Sequence, residues 1–209
     1  MLLKHVIFTG LKNHWEKIYA TKQSHEVSWT QETPLTSLKF IQRLSLPKSA
    51  NIIDIGGGDS KLVDSLVDMG YENITILDIS EKALGKAKKR LGGKARAIKW
   101  VVSDIRDFKP TGEYDLWHDR AAFHFLTSQT DVDNYILTVK SAVKGSIIIS
   151  TFSKNGPEKC SGLDVTQYNE DQLQRILAEG FNKVECLTED HITPFNTKQN
   201  FLFCCFSRR

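Results

Sequence analysis

From Ala50 onward the chain alternates short apolar runs with stretches of helical periodicity, and that alternation admits few folds. Apolar runs too short to be helices read as strands buried on both faces, and the helical stretches between them supply the crossovers that parallel strands require. Strands are predicted at Asn51-Ile52-Ile53-Asp54-Ile55, Asn73 to Asp78, Ile98 to Val102, Tyr114 to His118 and Ser146 to Phe152. Helices are predicted at Lys61 to Met69, Lys82 to Leu91 and Asp131 to Val143, the second capped by Ser80 and stopped by Gly92-Gly93.

The last third changes pattern. A helix is expected over Asn169 to Glu179, followed by strands at Asn182 to Leu187 and Asn200 to Phe206 with a turn at Asn196-Thr197-Lys198. Two strands without a helical crossover between them pair antiparallel. Upstream of residue 50, helices are expected at Leu11 to Tyr19 and Pro34 to Leu44, separated by His25-Glu26-Val27-Ser28-Trp29. The expected organisation is one domain, with residues 1–49 as a helical extension or lid and 50–209 as the α/β core.

Composition narrows the function classes. At 40% hydrophobic and 25% charged residues the chain can bury a core, and a formal charge of +3 gives no ground for a nucleic-acid or anionic-membrane surface. Lys82, Lys86, Lys88, Lys89 and Arg90 read as a solvated helix face. Cys160, Cys186, Cys204 and Cys205 form no CxxC pair and no zinc-type spacing, so neither a disulfide framework nor a metal site is expected. Met1 to Phe8 is too short and interrupted for a signal-peptide apolar region, which favours a cytoplasmic setting without membrane insertion.

The chemistry concentrates where the strands end. Gly56-Gly57-Gly58 fills the turn after the first strand, where an open parallel sheet places its ligand crevice. Asp78 ends the second strand about twenty residues later, the place for a carboxylate that binds ribose hydroxyls. A dinucleotide fingerprint wants a third glycine where Lys61 stands. Pyrophosphate binding is thereby disfavoured, and a nucleoside cofactor ending in an amino-acid carboxylate is favoured. Ser103-Asp104-Ile105 brings another carboxylate to the same rim, either as an acceptor for an adenine amine or as a turn cap.

The ordered series Ile53-Asp54-Ile55-Gly56-Gly57-Gly58, Leu77-Asp78-Ile79-Ser80, Ser103-Asp104 and Tyr114-Asp115-Leu116-Trp117-His118-Asp119-Arg120 resembles the motifs of class I S-adenosylmethionine-dependent methyltransferases. The resemblance implies a Rossmann-like three-layer sandwich, a mainly parallel seven-stranded sheet with an antiparallel last strand. It also implies S-adenosyl-L-methionine as cofactor, with S-adenosyl-L-homocysteine as product. Asp54, Gly56, Gly57, Gly58, Asp78, Ile79, Ser103, Asp104, Ile105 and Trp29 are the residues expected around it. A wider likeness, to a generically labelled bacterial group, rests on His14-Trp15-Glu16 with Tyr19, Glu26-Val27-Ser28-Trp29, Trp117 to Arg120 with Phe123-His124-Phe125-Leu126, and Gly156-Pro157-Glu158-Lys159-Cys160-Ser161-Gly162-Leu163.

For catalysis, Asp119 is expected to orient the acceptor, with His118 or His124 as the base; the alternative is that Asp119 fixes its own loop with Arg120. Cys160 reads as an exposed acceptor-side thiol or as a packed loop residue. Phe123, Phe125 and Phe152 read as core rather than as an aromatic cage, while Trp15, Tyr19 and Trp29 are expected to close over the cofactor. The acceptor is left between a small molecule and a protein side chain, a lysine among them. Two other classes compete: a nicotinamide oxidoreductase, which lacks the third glycine and a Tyr-x-x-x-Lys pair, and a non-catalytic sensor or scaffold that binds the cofactor.

Overall fold

The computed structural model describes the backbone of residues 2–209 and the side chains of residues 10–209. The side chains of the Met1–Phe8 string therefore lie outside the described residues. Two helices, α1 (Leu2–Thr21) and α2 (Leu35–Arg43), precede the sheet. Then come β1 (Asn51–Ile55), α3 (Leu62–Asp68), β2 (Asn73–Asp78), α4 (Glu81–Leu91), β3 (Lys99–Val102), β4 (Tyr114–Arg120), α5 (Gln129–Ala142) and β5 (Val143–Phe152). A ribbon of β6 (Lys159–Cys160) and β7 (Leu163–Asp164) leads to α6 (Glu170–Leu177) and a long closing hairpin, β8 (Phe181–Ile192) and β9 (Lys198–Arg208).

The seven-stranded sheet has the order β3-β2-β1-β4-β5-β9-β8. β1 to β5 pair in parallel, and β9 lies antiparallel between β5 and β8. The expected α/β sandwich with an antiparallel last strand is what the chain forms. The order reverses at β1, which has β2 on one side and β4 on the other, so the crevice opens over the carboxyl ends of β1 and β4.

Alternation along β4 separates two cores. Leu116 packs with Phe40, Leu62, Leu84 and Phe203 under α2, α3 and α4, while Trp117 packs with Phe123, Tyr135 and Leu173 under α5 and α6. Asp54 and His118 fall on the α2 side, beside Ser37; Asp119 falls on the α5 side, beside Tyr135. The sequence reading ends this strand at His118, but it continues to Arg120 because β5 pairs with it through Ser150.

β8 runs five residues beyond its predicted end, and β9 two residues beyond each of its predicted ends. The turn between them is held by Thr193, whose hydroxyl accepts from the Phe195 and Thr197 amides, and by Asn196 in the left-handed region. Their register sets Cys186 opposite Cys204, Cα atoms 4.1 Å apart, and the two form a disulfide. This corrects the expectation of no disulfide: strand register, not spacing along the chain, brings these thiols together. Among the described residues no helix is long and apolar enough to cross a membrane.

Phe203 is 1% exposed and packs between Phe40 and Phe201. Phe203→Ala is expected to cost about 3–5 kcal/mol, read as a lower midpoint in urea unfolding.

Candidate active site

The turn after β1 needs glycine for two different reasons. Gly56 and Gly58 have φ of 65° and 43°, where side chains are strained. At Gly57 a Cβ would lie 2.6 Å from Asp54 Oδ2. Asp54 thus sits directly beneath the loop, and its Oδ1 meets His118 Nδ1 at 2.7 Å. His118 Nε2 meets the Ser37 hydroxyl at 2.9 Å, so both ring nitrogens are engaged.

Arg90 holds the far side of the same loop. Its guanidinium donates to both Asp64 carboxylate oxygens, to the carbonyls of Asp59 and Ser60, and to the Asp59 carboxylate. Reading Lys82 to Arg90 as a solvated face misses this. Arg90 leaves the helix one position before buried Leu91, and its long stem reaches back over the turn.

Asp78 ends β2 with 6% exposure, accepting hydrogen bonds from the Ser80 and Gly58 amides. Burial pushes its carboxyl up to about 7, against the pull of those amides. The Tyr19 hydroxyl lies over the same spot, since a Cβ on Gly58 would meet it at 3.0 Å and Asp78 Oδ2 at 2.9 Å. Tyr19 also hydrogen-bonds the Trp29 side chain, and Trp15 packs edge-on to Trp29 and Phe125. Helix α1 is fixed there by Glu16, which accepts from the amides of Glu81 and Lys82, while Ser80 accepts from Ala83. The first three amides of α4 are therefore all occupied.

At the end of β3, Asp104 takes Arg106 Nε on one oxygen and Nη2 on the other, and the Arg106 amide closes a turn on Oδ1. It is both a turn cap and a wall of the crevice. Ser103, Ile79 and Ile105 line the crevice with it.

The three expected catalytic residues are placed differently. Asp119 is fully buried, accepting from the Ala122 and Phe123 amides and from the Tyr135 hydroxyl at 2.7 Å. It fixes the loop after β4, through Tyr135 rather than through Arg120. Burial pushes its carboxyl up to about 6. His124 accepts the Phe152 amide at 3.3 Å and is held neutral by burial, its pKa down at about 3. Neither lines the crevice; His118 does.

Arg120 and Cys160 line it as well. Cys160 is 6% exposed, and burial pushes its thiol up to about 12. It packs; the reading as an exposed thiol is corrected. Phe123 and Phe152 are core, whereas Phe125 joins the crevice wall.

The cavity enclosed by these groups has a volume of about 230 Å³. Its roof is the segment around Ser28 to Ser37, tied to the ends of the last hairpin by His191 to the Ser28 carbonyl at 2.7 Å, Gln199 to the Ser28 hydroxyl and Thr36 to Glu189. Pairing with β8 and β9 beyond their predicted ends is what makes these contacts, so the sequence reading had no signal for them.

Between the ordinary carboxylate range and about 6 for Asp119 or about 7 for Asp78, these carboxyls hold protons in the folded state that the unfolded chain has already released. Stability of the unliganded protein is therefore expected to fall as pH rises from the ordinary carboxylate range to about 7, and to level off above it. Asp78→Asn should flatten that fall and raise the thermal midpoint at pH 8. Gly58→Ala should lower the midpoint at every pH, by a destabilisation of about 1–2 kcal/mol, because φ there is 43° and the new Cβ collides with Asp78.

Residues 52–146 match the family described as "Methyltransferase domain". The eEF1A lysine and N-terminal methyltransferase of Mus musculus is 26% identical over 125 residues, 59% of this chain and 18% of that protein. Malonyl-[acyl-carrier protein] O-methyltransferase 1 of Ilyobacter polytropus is 27% identical over 106 residues, 50% of this chain and 39% of that protein. The matched stretch thus spans well under half the length of either relative. A crystal structure of a SAM-dependent methyltransferase from Anabaena variabilis superposes with a TM-score of 0.74 at 11% identity, covering 97% of this chain and 95% of that one. Residues 52–146 thus match a methyltransferase domain, and nearly the whole chain shares the fold of the Anabaena variabilis structure.

Proposed function

We propose that the chain is an S-adenosyl-L-methionine-dependent methyltransferase acting on a small molecule or a protein side chain. The observation that carries this reading is the convergence of Asp78, Asp104 and the glycine turn on one cavity at the switch point of the sheet. Asp78 retains lone pairs beyond the two amides it accepts, which suits ribose hydroxyls. Gly56 and Gly57 line that cavity, and the absence of a Cβ lets Ala122, Asp54 and Ile76 pack directly against the turn. Lys61, engaged with Glu32, stands where a dinucleotide loop needs its third glycine, which argues against nicotinamide chemistry.

When bound, the cofactor would supply an electrophilic methyl to an acceptor atom held in line with its sulfur–carbon bond, the electron pair of that bond staying on sulfur and any proton on the acceptor atom being released. The chain's own part is positioning and exclusion of water. Trp15, Tyr19, Trp29 and Phe125 form a wall of aromatic faces over the crevice. Alignment of two reactants is worth on the order of 7–11 kcal/mol, enough to make a dedicated base dispensable. Of the three residues expected to act on the acceptor, His118 is bonded at both nitrogens, and Asp119 and His124 are buried and do not line the cavity.

That same observation favours a second reading, a non-catalytic module that binds the cofactor as a sensor or scaffold. Release of S-adenosylhomocysteine on addition of cell extract, with labelled methyl recovered in a protein or small-molecule fraction, supports the enzyme; binding without release supports the sensor. By calorimetry the chain should bind S-adenosylmethionine and not NAD. Asp78→Asn should weaken that binding by roughly 10–100-fold, the loss of charge-assisted hydrogen bonds to hydroxyls. Trp29→Ala should weaken it by roughly tenfold through lost apolar contact; unchanged affinity and turnover would sink the role of the N-terminal segment as a lid.

A further inference from the structure

Arg120 is a half-buried cation, and two of its three guanidinium nitrogens are buried without a partner. It leaves β4 on the same side as His118, forms part of the cavity wall, and rests over the Phe201 ring at 5.1 Å. One terminal nitrogen, Nη1, donates to the Trp29 carbonyl at 3.1 Å. Nε and Nη2 are buried and have no partner. An unpaired buried donor is costly, and two on one guanidinium more so.

The neighbouring groups do not fill this edge. The Cys160 thiol is held protonated by burial, and His124 and His191 are held neutral by burial. The two carboxylates near enough to influence Arg120 are Asp54 and Glu189. Asp54 is bonded to His118, and Glu189 to Thr36. Burial lowers the guanidinium only to about 10, so it stays charged at neutral pH.

The chain itself shows what that edge binds. Arg106 uses Nε and Nη2 to hold the two oxygens of Asp104, and Arg90 uses the same pair to hold Asp64. This is the side-on fork that matches a carboxylate. Asp78 and Asp104, expected to hold the nucleoside, are not among the groups that influence Arg120, which sits instead with Trp29, Cys160 and Phe201.

Resting on the methyltransferase reading, we propose that Arg120 is the specificity residue of the acceptor side, and that the acceptor carries a carboxylate which takes the free Nε and Nη2 edge. Trp29 and Phe125, which line the same cavity, suit an apolar body attached to that carboxylate.

The test uses the full chain saturated with S-adenosylhomocysteine and titrated calorimetrically with benzoate and with its neutral isostere benzamide. Benzoate should bind at least tenfold more tightly than benzamide. Arg120→Met should abolish that preference, measured with S-adenosylhomocysteine at a concentration that saturates the variant. Arg120→Lys, which keeps the charge without the fork, should reduce it severalfold. Equal affinity for the two probes, no benzoate binding, or a preference that survives Arg120→Met overturns the proposal and leaves the methyltransferase reading standing. A tenfold or greater loss of S-adenosylhomocysteine affinity in both variants also overturns it, because the carboxylate held is then the donor's own. Failure of the unmodified chain to bind S-adenosylhomocysteine overturns both.

Discussion

The rest of the structure depends on the hydrogen-bonded chain Ser37–His118–Asp54, buried where α2 meets the adjacent strands β1 and β4. Parallel pairing puts Asp54 and His118 side by side, and burial forces them to satisfy each other. Nδ1 meets the Asp54 carboxylate and Nε2 the Ser37 hydroxyl, so both sides of the ring are held. That fixes the imidazole, anchors the helix that carries the cavity roof, and sets the carboxylate against which Gly57 must lie. The histidine expected as a candidate base also pins the site in the fold.

Much of the architecture is legible in the sequence because its signals are local. The alternation of apolar runs with helical stretches fixes β1 and β2 to the residue, and Ser80 marks the start of α4. The glycine turn, Asp78 and Asp104 arrive at one cavity because strand ends in a parallel sheet lie together. The antiparallel closing hairpin follows from the missing crossover.

What the sequence did not disclose depends on which way a side chain faces. Ending β4 at His118 leaves Asp119 and Arg120 in a loop where either could reach the crevice. Two more residues of strand decide it, sending Asp119 to Tyr135 and Arg120 to the cavity. The clasp of Arg90, the Cys186–Cys204 bond and the ties from Glu189, His191 and Gln199 to the roof are likewise contacts between distant segments, with no periodicity of their own.

Helix α4 is held at both ends by parts of the site. Its first amides are taken by Glu16 of α1, and its last turn, through Arg90, grips the glycine loop. Swinging α1 away strips two amides of their acceptor and frays the turn beneath it. The helix thus works as a tie rod: access to the crevice and the shape of its floor are mechanically joined, and loosening one end slackens the other.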